Sequence, residues 1–359
     1  MNSQNGTNSD HDAMLRGQAQ ILQYLYGSLD GMAIRCCVEL HIADIINHHQ
    51  RPVTLIEISN AIDSPSINID GLRRLMKFLV HRKLFDETAV NHSDSEDQPL
   101  YSLNHCSKWL LHDTDVTLAP LVMMRTDPVT LLHFHGLSRS IKEGGAAFKA
   151  AHGDEFFDFC LRNSEYNKVF NEAMACTAKI TTNAIVSSYK DGFLGSKGSV
   201  VDVGGGIGTA VSEIVKAFPH LKGINFDLSH VVSGAPSYDG VTHVAGNMFN
   251  SIPTADTIFM KWILHDWSDK DCIKILQNCR KAISTKTGKL IIVEIVQQPT
   301  THDVFDDIRL TYDMVMFSYF SCARERTERE WKKLLEEGGF SRYNIIKIPA
   351  LQSIIEAFP

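Results

Sequence analysis

Ser199-Val200-Val201-Asp202-Val203-Gly204-Gly205-Gly206-Ile207-Gly208 is the stretch that decides the fold. A short apolar run ends in an acid and a glycine turn. After it, Val211, Ile214, Val215 and Phe218 fall on one helical face. Strand, glycine turn and helix open a nucleotide-binding βαβ unit. The glycine spacing then separates cofactor classes. A dinucleotide fingerprint, G-x-G-x-x-G, needs glycine at 204, 206 and 209, and position 209 is Thr. The sequence offers Asp-x-Gly-x-Gly-x-Gly instead, with Asp202 two residues before the first glycine.

Downstream of this stretch, strands and helices alternate. Strands are expected at 199–203, 222–227, 241–245, 256–264, 289–296, 343–348 and 353–358, with helices between them at 269–283 and 328–337 among others. Alternation of this kind implies an α/β, doubly wound, mainly parallel sheet with helices on both faces. The last two strands are joined by residues 349–352 alone, too few for a parallel crossover, so an antiparallel strand is expected at that edge.

Upstream, residues 1–11 are polar and expected to be disordered, and they lack the apolar core of a signal peptide. Residues 12–48 and 54–62 read as helical, and 70–81 as a helix with Leu72, Leu75, Met76, Leu79 and Val80 on one stripe. Strands at 84–86 and 100–103 then flank a polar loop over 90–98. This is the order of a winged helix, in a domain placed at 12–113; residues 114–359 form the second domain. Arg73, Arg74 and Lys77 on the second helix could face a nucleic acid, but a solvated face is the stronger reading. The net charge is −7 and the pI about 6.1, which argues against a nucleic-acid partner. The apolar helix surface points instead to pairing with a second copy of the chain. No apolar run approaches the length needed to span a bilayer, so no membrane partner is expected. The eight cysteines show neither Cys-x-x-Cys nor zinc spacing, which fits reduced core residues and a cytoplasmic location.

The chemistry gathers at strand ends. Asp227 closes the second strand, 19 residues beyond Gly208, where an acid can accept from ribose hydroxyls. Leu228 follows it. Asn247, Met248 and Phe249 follow the third strand, with Met248 placed to pack on adenine. The fourth strand runs through Lys261 and Trp262 into Ile263-Leu264-His265-Asp266-Trp267, putting a base with an ordinary pKa near 6.5 at the ligand-binding edge of the sheet. Glu294, in an otherwise apolar strand, needs a partner or a task, and orienting His265 is one. Glu325, ahead of a helix, is a weaker candidate, since an N-terminal helix charge would explain it. No metal site is evident.

These residues resemble the plant S-adenosylmethionine (SAM)-dependent O-methyltransferases of the caffeic acid, flavonoid and reticuline type. The marks are residues 201–208, Asn225-Phe226-Asp227-Leu228-Ser229-His230, Lys261-Trp262-Ile263-Leu264-His265-Asp266-Trp267-Ser268-Asp269, Glu325-Arg326-Thr327-Glu328-Arg329-Glu330-Trp331 and Ser353-Ile354-Ile355-Glu356-Ala357-Phe358-Pro359. The resemblance implies a glycine loop that approaches the amino-acid end of SAM, S-adenosylhomocysteine as product, no metal, and a winged-helix dimerisation domain forming a homodimer. It implies His265 as general base held between Glu294 and Glu325. For SAM it implies Gly204, Asp227, Met248 and Lys261, with Asp202, Gly206, Leu228, Asn247 and Phe249 beside them. For the phenol pocket it implies Met124, Tyr166, Phe170, Met174, Trp262, Tyr312, Val315 and Met316, with Asp266 and Phe320 alongside.

Three positions depart from the family. Asn247 stands where Asp usually accepts from the adenine amino group, though an amide oxygen can still accept. Phe320 replaces an Asn of the caffeic acid enzymes, which argues against that substrate. Ser229 replaces a Pro. The expected function is methylation of a phenolic hydroxyl, with a flavonoid favoured because Met124, Tyr166, Phe170, Met174, Trp262, Tyr312, Val315 and Met316 include no acid to meet an alkaloid amine, while Asp127 and Glu155 nearby in sequence count on the other side. A benzylisoquinoline alkaloid is the alternative substrate. A non-catalytic dimer partner of an active homologue is the alternative of another class, supported by Asn247 alone.

Overall fold

The structure is a computed structural model that describes residues 4–88, 99–196, 198–284, 287–298 and 303–359. The polar loop expected at 90–98 lies outside the described residues. The chain divides into two compact units, Met1–Asp127 and Pro128–Pro359, later than the 113/114 division read from sequence.

The N-terminal unit contains α1 (Gln4–Glu39), α2 (Ile42–His49), β1 (Val53–Thr54), α3 (Leu55–Ala61), α4 (Ile69–His81), β2 (Phe85–Thr88), β3 (Leu100–Leu103) and α5 (Ala119–Arg125). Helix α1 begins inside the stretch expected to be disordered. The single helical region expected over 12–48 is broken at His41, which adopts a left-handed conformation (φ 53°) between α1 and α2. Helix α3 starts at a capping box: Thr54 accepts from the Glu57 N–H, and Glu57 accepts in turn from the Thr54 N–H. Helix α4 starts at Asn68, whose side chain accepts from Gly71. Its buried residues, Leu72, Met76 and Leu79, lie on the expected stripe. They pack with Ile42, Ile58 and Phe85 into one core. An antiparallel sheet of order β1-β3-β2 completes the unit. On α1, Leu22, Leu25, Leu29 and Met32 remain exposed.

The second unit opens with helices α6 (Pro128–Phe134), α7 (Leu137–Glu143), α8 (Ala147–His152), α9 (Phe156–Arg162), α10 (Ser164–Ser188) and α11 (Lys190–Leu194). The alternating part follows: β4 (Ser199–Val203), α12 (Thr209–Ala217), β5 (Lys222–Asp227), α13 (Ser229–Val232), β6 (Val241–Ala245), β7 (Thr257–Lys261), α14 (Asp269–Ala282), β8 (Lys289–Glu294), β9 (Val296–Gln297), α15 (Asp306–Tyr319), β10 (Arg326–Thr327), α16 (Glu328–Glu337), β11 (Arg342–Lys347) and β12 (Ser353–Phe358). The strand expected over 256–264 stops at Lys261, because Trp262 turns left-handed (φ 54°) and Leu264–Asp266 coil into a 3₁₀ turn.

The main sheet has seven strands in the order β11-β12-β8-β7-β4-β5-β6. The run β6-β5-β4-β7-β8 is parallel and reverses direction of growth between β4 and β7, the crevice where open α/β sheets bind ligands. Strand β12 runs antiparallel to both β8 and β11. The antiparallel strand therefore lies one in from the edge, with β11 outside it. Alternate residues of the buried strands face opposite layers, as the pleat dictates. Ile258, Met260, Leu290 and Ile292 meet α14 and α16 through Ile275, Cys279, Trp331 and Leu334. Phe259, Ile291 and Val293 meet the layer of Ile185, Phe193, Val211 and Ile214. Each such side chain contributes about 1.5–3 kcal/mol on burial.

Candidate active site

The glycine loop leaves β4 at the crevice. Gly204, Gly206 and Gly208 all take positive φ (70°, 59° and 90°), a region that favours glycine. A Cβ on Gly204 would stand 2.4 Å from Ile263 Cδ1, whereas a Cβ on Gly206 would meet nothing within 4 Å. The loop is thus closely packed at 204 and open at 206, where a ligand can lie against the backbone. Asp227, at the end of β5, holds it: one carboxylate oxygen accepts from the Gly206 N–H at 2.8 Å and the other from Leu228 at 2.6 Å. Burial raises the Asp227 pKa, and these two N–H groups partly offset that.

Sequence reasoning passed over Asn225. Its Nδ2 donates to the Gly206 carbonyl at 2.8 Å and lies 3.1 Å from His243 Nδ1. The available signal was a polar side chain in a buried strand, the argument that singled out Glu294. Asp202 Oδ2 and Asn225 Oδ1 are buried polar atoms with no hydrogen bond in the protein. Open backbone, fixed acid and unsatisfied buried acceptors suit a ligand with an amino group and a ribose. Burial pushes the Asp202 pKa up to about 7 and pulls that of Lys261 down to about 8, against their mutual attraction. The Lys261 ammonium lies 4.4 Å from the centre of the Trp262 ring. Asn247 Oδ1 accepts from the Phe249 N–H at 2.9 Å, and the Met248 carbonyl accepts from Asn278. Met248 and Phe249 pack on the sheet core.

His265 lies beside this loop, in the turn after β7, buried to 5% exposure. Two devices fix the turn. Glu294 Oε1, at the end of β8, accepts from the N–H groups of Ile263 and Leu264, both at 2.9 Å. Arg326, fully buried, donates to the carbonyls of Leu264 (2.9 Å) and Trp267 (2.8 Å) and to Asp269 (2.9 Å). The short parallel ladder β9-β10, pairing Arg326 with Val296, carries Glu325 in beside Glu294. The Glu325 N–H is held by Asp313 of α15 at 2.8 Å.

His265 Nδ1 is 2.8 Å from Glu325 Oε1 and 3.7 Å from Glu294 Oε2, and its Nε2 is 3.4 Å from Asp266 Oδ1. The candidate ranked lower in the sequence, Glu325, is therefore the direct partner, and Glu294 both supports the turn and adds charge. Burial works against the imidazolium, but Glu294, Glu325 and Asp266 outweigh it and raise the His265 pKa to about 10. Burial lifts the Asp266 pKa to about 7 and raises that of Glu294. The Trp262 ring stacks on His265 (6.0 Å, 14°) and meets Tyr312 at 5.4 Å.

The residues expected to line a phenol pocket divide. Trp262 and Asp266 lie against the histidine, and Tyr312 packs on the Trp262 ring. Tyr166, Phe170, Val315 and Phe320 join an aromatic cluster with Phe148, Phe156 and Tyr319. The Tyr166 hydroxyl is buried and lies 2.9 Å from Thr130 Oγ1, so that side chain serves the cluster's interior. Met316 is buried and Met174 half-buried. Met124, in α5, belongs to the N-terminal unit. Among the described residues His265, Glu294 and Glu325 have metal-ligand types within reach of one another, as do His41, Asp44 and His112.

Comparison with known proteins agrees with this geometry. An O-methyltransferase domain matches residues 134–341, and an O-methyltransferase dimerisation domain matches 22–113. The chain is 49% identical to (R,S)-reticuline 7-O-methyltransferase of Papaver somniferum, over 96% of this chain and 98% of that one. It is also 49% identical to xanthohumol 4-O-methyltransferase of Humulus lupulus, over 98% of each. The crystal structure of human N-acetylserotonin methyltransferase in complex with SAM shares the fold, with a TM-score of 0.81 at 18% identity over 95% of this chain and 97% of that one. This chain belongs to the SAM-dependent O-methyltransferase family.

Proposed function

We propose that this protein methylates a phenolic hydroxyl of a flavonoid-type plant metabolite, with His265 as general base, and that it works as a homodimer paired through its N-terminal unit. The observation that carries the reading is the buried His265–Glu325 hydrogen bond with Glu294 behind it. Gly204, Gly206, Asp202, Asp227, Asn247, Met248 and Lys261 would hold SAM, which when bound supplies a methyl group made electrophilic by its sulfonium charge.

Glu325 accepts from Nδ1–H, so Nε2 of the neutral imidazole is the atom that takes the phenol proton; with a pKa of about 10 that neutral form is a minor fraction at pH 7 and grows as pH rises. A phenol titrates near 10, and the carboxylates raise His265 to about 10. Proton transfer between the two is therefore close to thermoneutral. An unperturbed histidine would be the weaker base in that transfer, although more of it would be neutral at pH 7. The Trp262 ring fixes the imidazole plane and, with Tyr312, walls the base from water.

Three features favour a neutral polyphenol over a cationic alkaloid. Glu294 and Glu325 each direct one carboxylate oxygen to the turn backbone or to His265, and their other oxygens are buried. Glu155 is paired with Lys149 at 2.7 Å. Phe170 and Phe320, half-buried against the aromatic cluster, offer flat apolar faces. The relatives at 49% identity are named for reticuline and for xanthohumol, so substrate class is the point to test. A labelled-SAM assay against flavonoids and benzylisoquinolines, with product regiochemistry, should show turnover of a flavonoid. Preferential turnover of an alkaloid overturns the substrate assignment. SAM binding with no phenol turned over would favour the dimer-partner alternative.

The homodimer reading rests on the matched dimerisation domain and on Leu22, Leu25, Leu29 and Met32, whose 3-4-3 spacing forms a seam along α1. Of the basic residues on and just after α4, Arg73 pairs with Asp70 and Arg82 with Asp30, which takes up part of the charge a nucleic acid would need. No described helix is long and apolar enough to cross a membrane, and all eight cysteines are unpaired, which supports a reducing, cytoplasmic setting.

A further inference from the structure

We propose that His41, Asp44 and His112 form a surface zinc site on the N-terminal unit, with a structural rather than a catalytic role. The site begins at a corner of the chain. His41 sits at φ 53°, ψ 30° between α1 and α2, a left-handed turn that histidine adopts more readily than most residues other than glycine.

The first turn of α2 sets Asp44 beneath that imidazole. His112 arrives from the segment following the 3₁₀ turn Ser107–Leu110. Its N–H donates to Asp44 Oδ1 at 2.8 Å, which fixes the carboxylate and aims Oδ2 outward. His112 Nδ1 lies 2.7 Å from Oδ2, and His41 Nδ1 lies 3.4 Å from the same atom. The two rings face each other at 4.2 Å, tilted by 38°. Two imidazole nitrogens thus converge on one carboxylate oxygen whose partner oxygen is already occupied.

Zinc bonds of about 2.0–2.1 Å at tetrahedral angles set donor atoms about 3.3–3.5 Å apart. The His41–Asp44 separation of 3.4 Å already meets that spacing, and the 2.7 Å His112 contact has to open by less than about 1 Å. Two nitrogens and one oxygen suit zinc rather than magnesium or calcium, which take oxygen ligands. All three side chains are partly exposed, so water can fill the fourth position. A bound ion would tie the start of α2 to the segment carrying His112.

The test uses the full-length protein, freed of metal by chelation and titrated with zinc chloride by calorimetry. One zinc per chain is expected. His41→Gly, which suits the local φ and so leaves folding intact, and His112→Gln should each weaken binding by more than about tenfold. Zinc should raise the Tm of the parent protein and not of either variant, while methyl transfer by the metal-free forms stays equal in all three. Cobalt should give a visible tetrahedral absorption band that His41→Gly abolishes. Undiminished stoichiometry in both variants, or no saturable binding at micromolar zinc, overturns the proposal. So does zinc binding lost only in His265→Ala, which would place the ion at the catalytic cluster.

Discussion

Glu325→Gln removes one buried charge from His265 while keeping the shape of its partner. The charge centres stand about 4 Å apart across the 2.8 Å hydrogen bond. At an effective dielectric near 20, unit charges at that separation interact by about 4 kcal/mol, or about 3 pH units. The imidazole should therefore fall from about 10 to about 7 in the variant. NMR of protein carrying ¹³C-labelled histidine, with His265 assigned from a His265→Gln difference spectrum, reads both titrations directly. The pH profile of kcat/KM should follow. The limb reporting the free enzyme's base moves to lower pH, and the high-pH plateau drops because the weaker base no longer matches the phenol. A parent imidazole titrating near 6.5, or a variant that titrates where the parent does, would refute the reasoning that the carboxylate cluster sets the strength of this base.

Other outcomes follow from the same geometry. His265→Ala should lose about 10²–10⁴ in kcat while calorimetry shows unchanged SAM binding; turnover within a few-fold of the parent would remove His265 from the mechanism. Gly204→Ala combines a φ of 70° with a 2.4 Å clash against Ile263, so thermal melts should show loss of stability with or without SAM. Gly206→Ala has φ 59° but open space, so its cost should be limited to about 1–2 kcal/mol of backbone strain, with the larger loss in SAM affinity. Asn247→Asp keeps the acceptor that binds the Phe249 N–H and adds charge toward an adenine amino group, so SAM should bind several-fold tighter; weaker binding would show that Asn247 does not face adenine. Stability should depend on alkaline pH through His265. Its folded pKa lies above the unfolded value near 6.5, so its contribution is complete below pH 6.5 and fades as pH rises toward 10. Chemical denaturation of His265→Gln should show a flatter curve across that window.

Much of the second unit could be read from the chain because its signals are local. The glycine spacing, the apolar runs of β4, β7 and β8 and the four-residue link before β12 each act within about ten residues. The position of β12 could not be read that way. Antiparallel pairing follows from the short link, but insertion between β8 and β11 depends on which neighbour offers the better apolar face. Glu294 stood out because a carboxylate in a buried strand is costly. Glu325 did not, because its own neighbourhood resembles any helix start, and only the β9-β10 ladder brings it to His265. Arg326 was masked in the same way: a basic residue in a charged run reads as surface, yet it is buried against three oxygens of the His265 turn. Tyr166 carries a detail its own neighbourhood could not give: its hydroxyl meets Thr130, a partner 36 residues earlier in the chain.

The place of β12 also sets an order of events during synthesis. Strand β8, which ends in Glu294, emerges about 60 residues before the strand that covers its open side. At typical elongation rates that gap lasts about 3–12 s. Throughout it the nascent protein presents an apolar, unpaired strand edge, Leu290 to Val293, next to a half-built base cluster. Truncation within Ser353–Phe358 would make that exposure permanent. It would leave the edge free to pair with other copies and the carboxylate without its wall, so loss of catalysis and aggregation should arrive together.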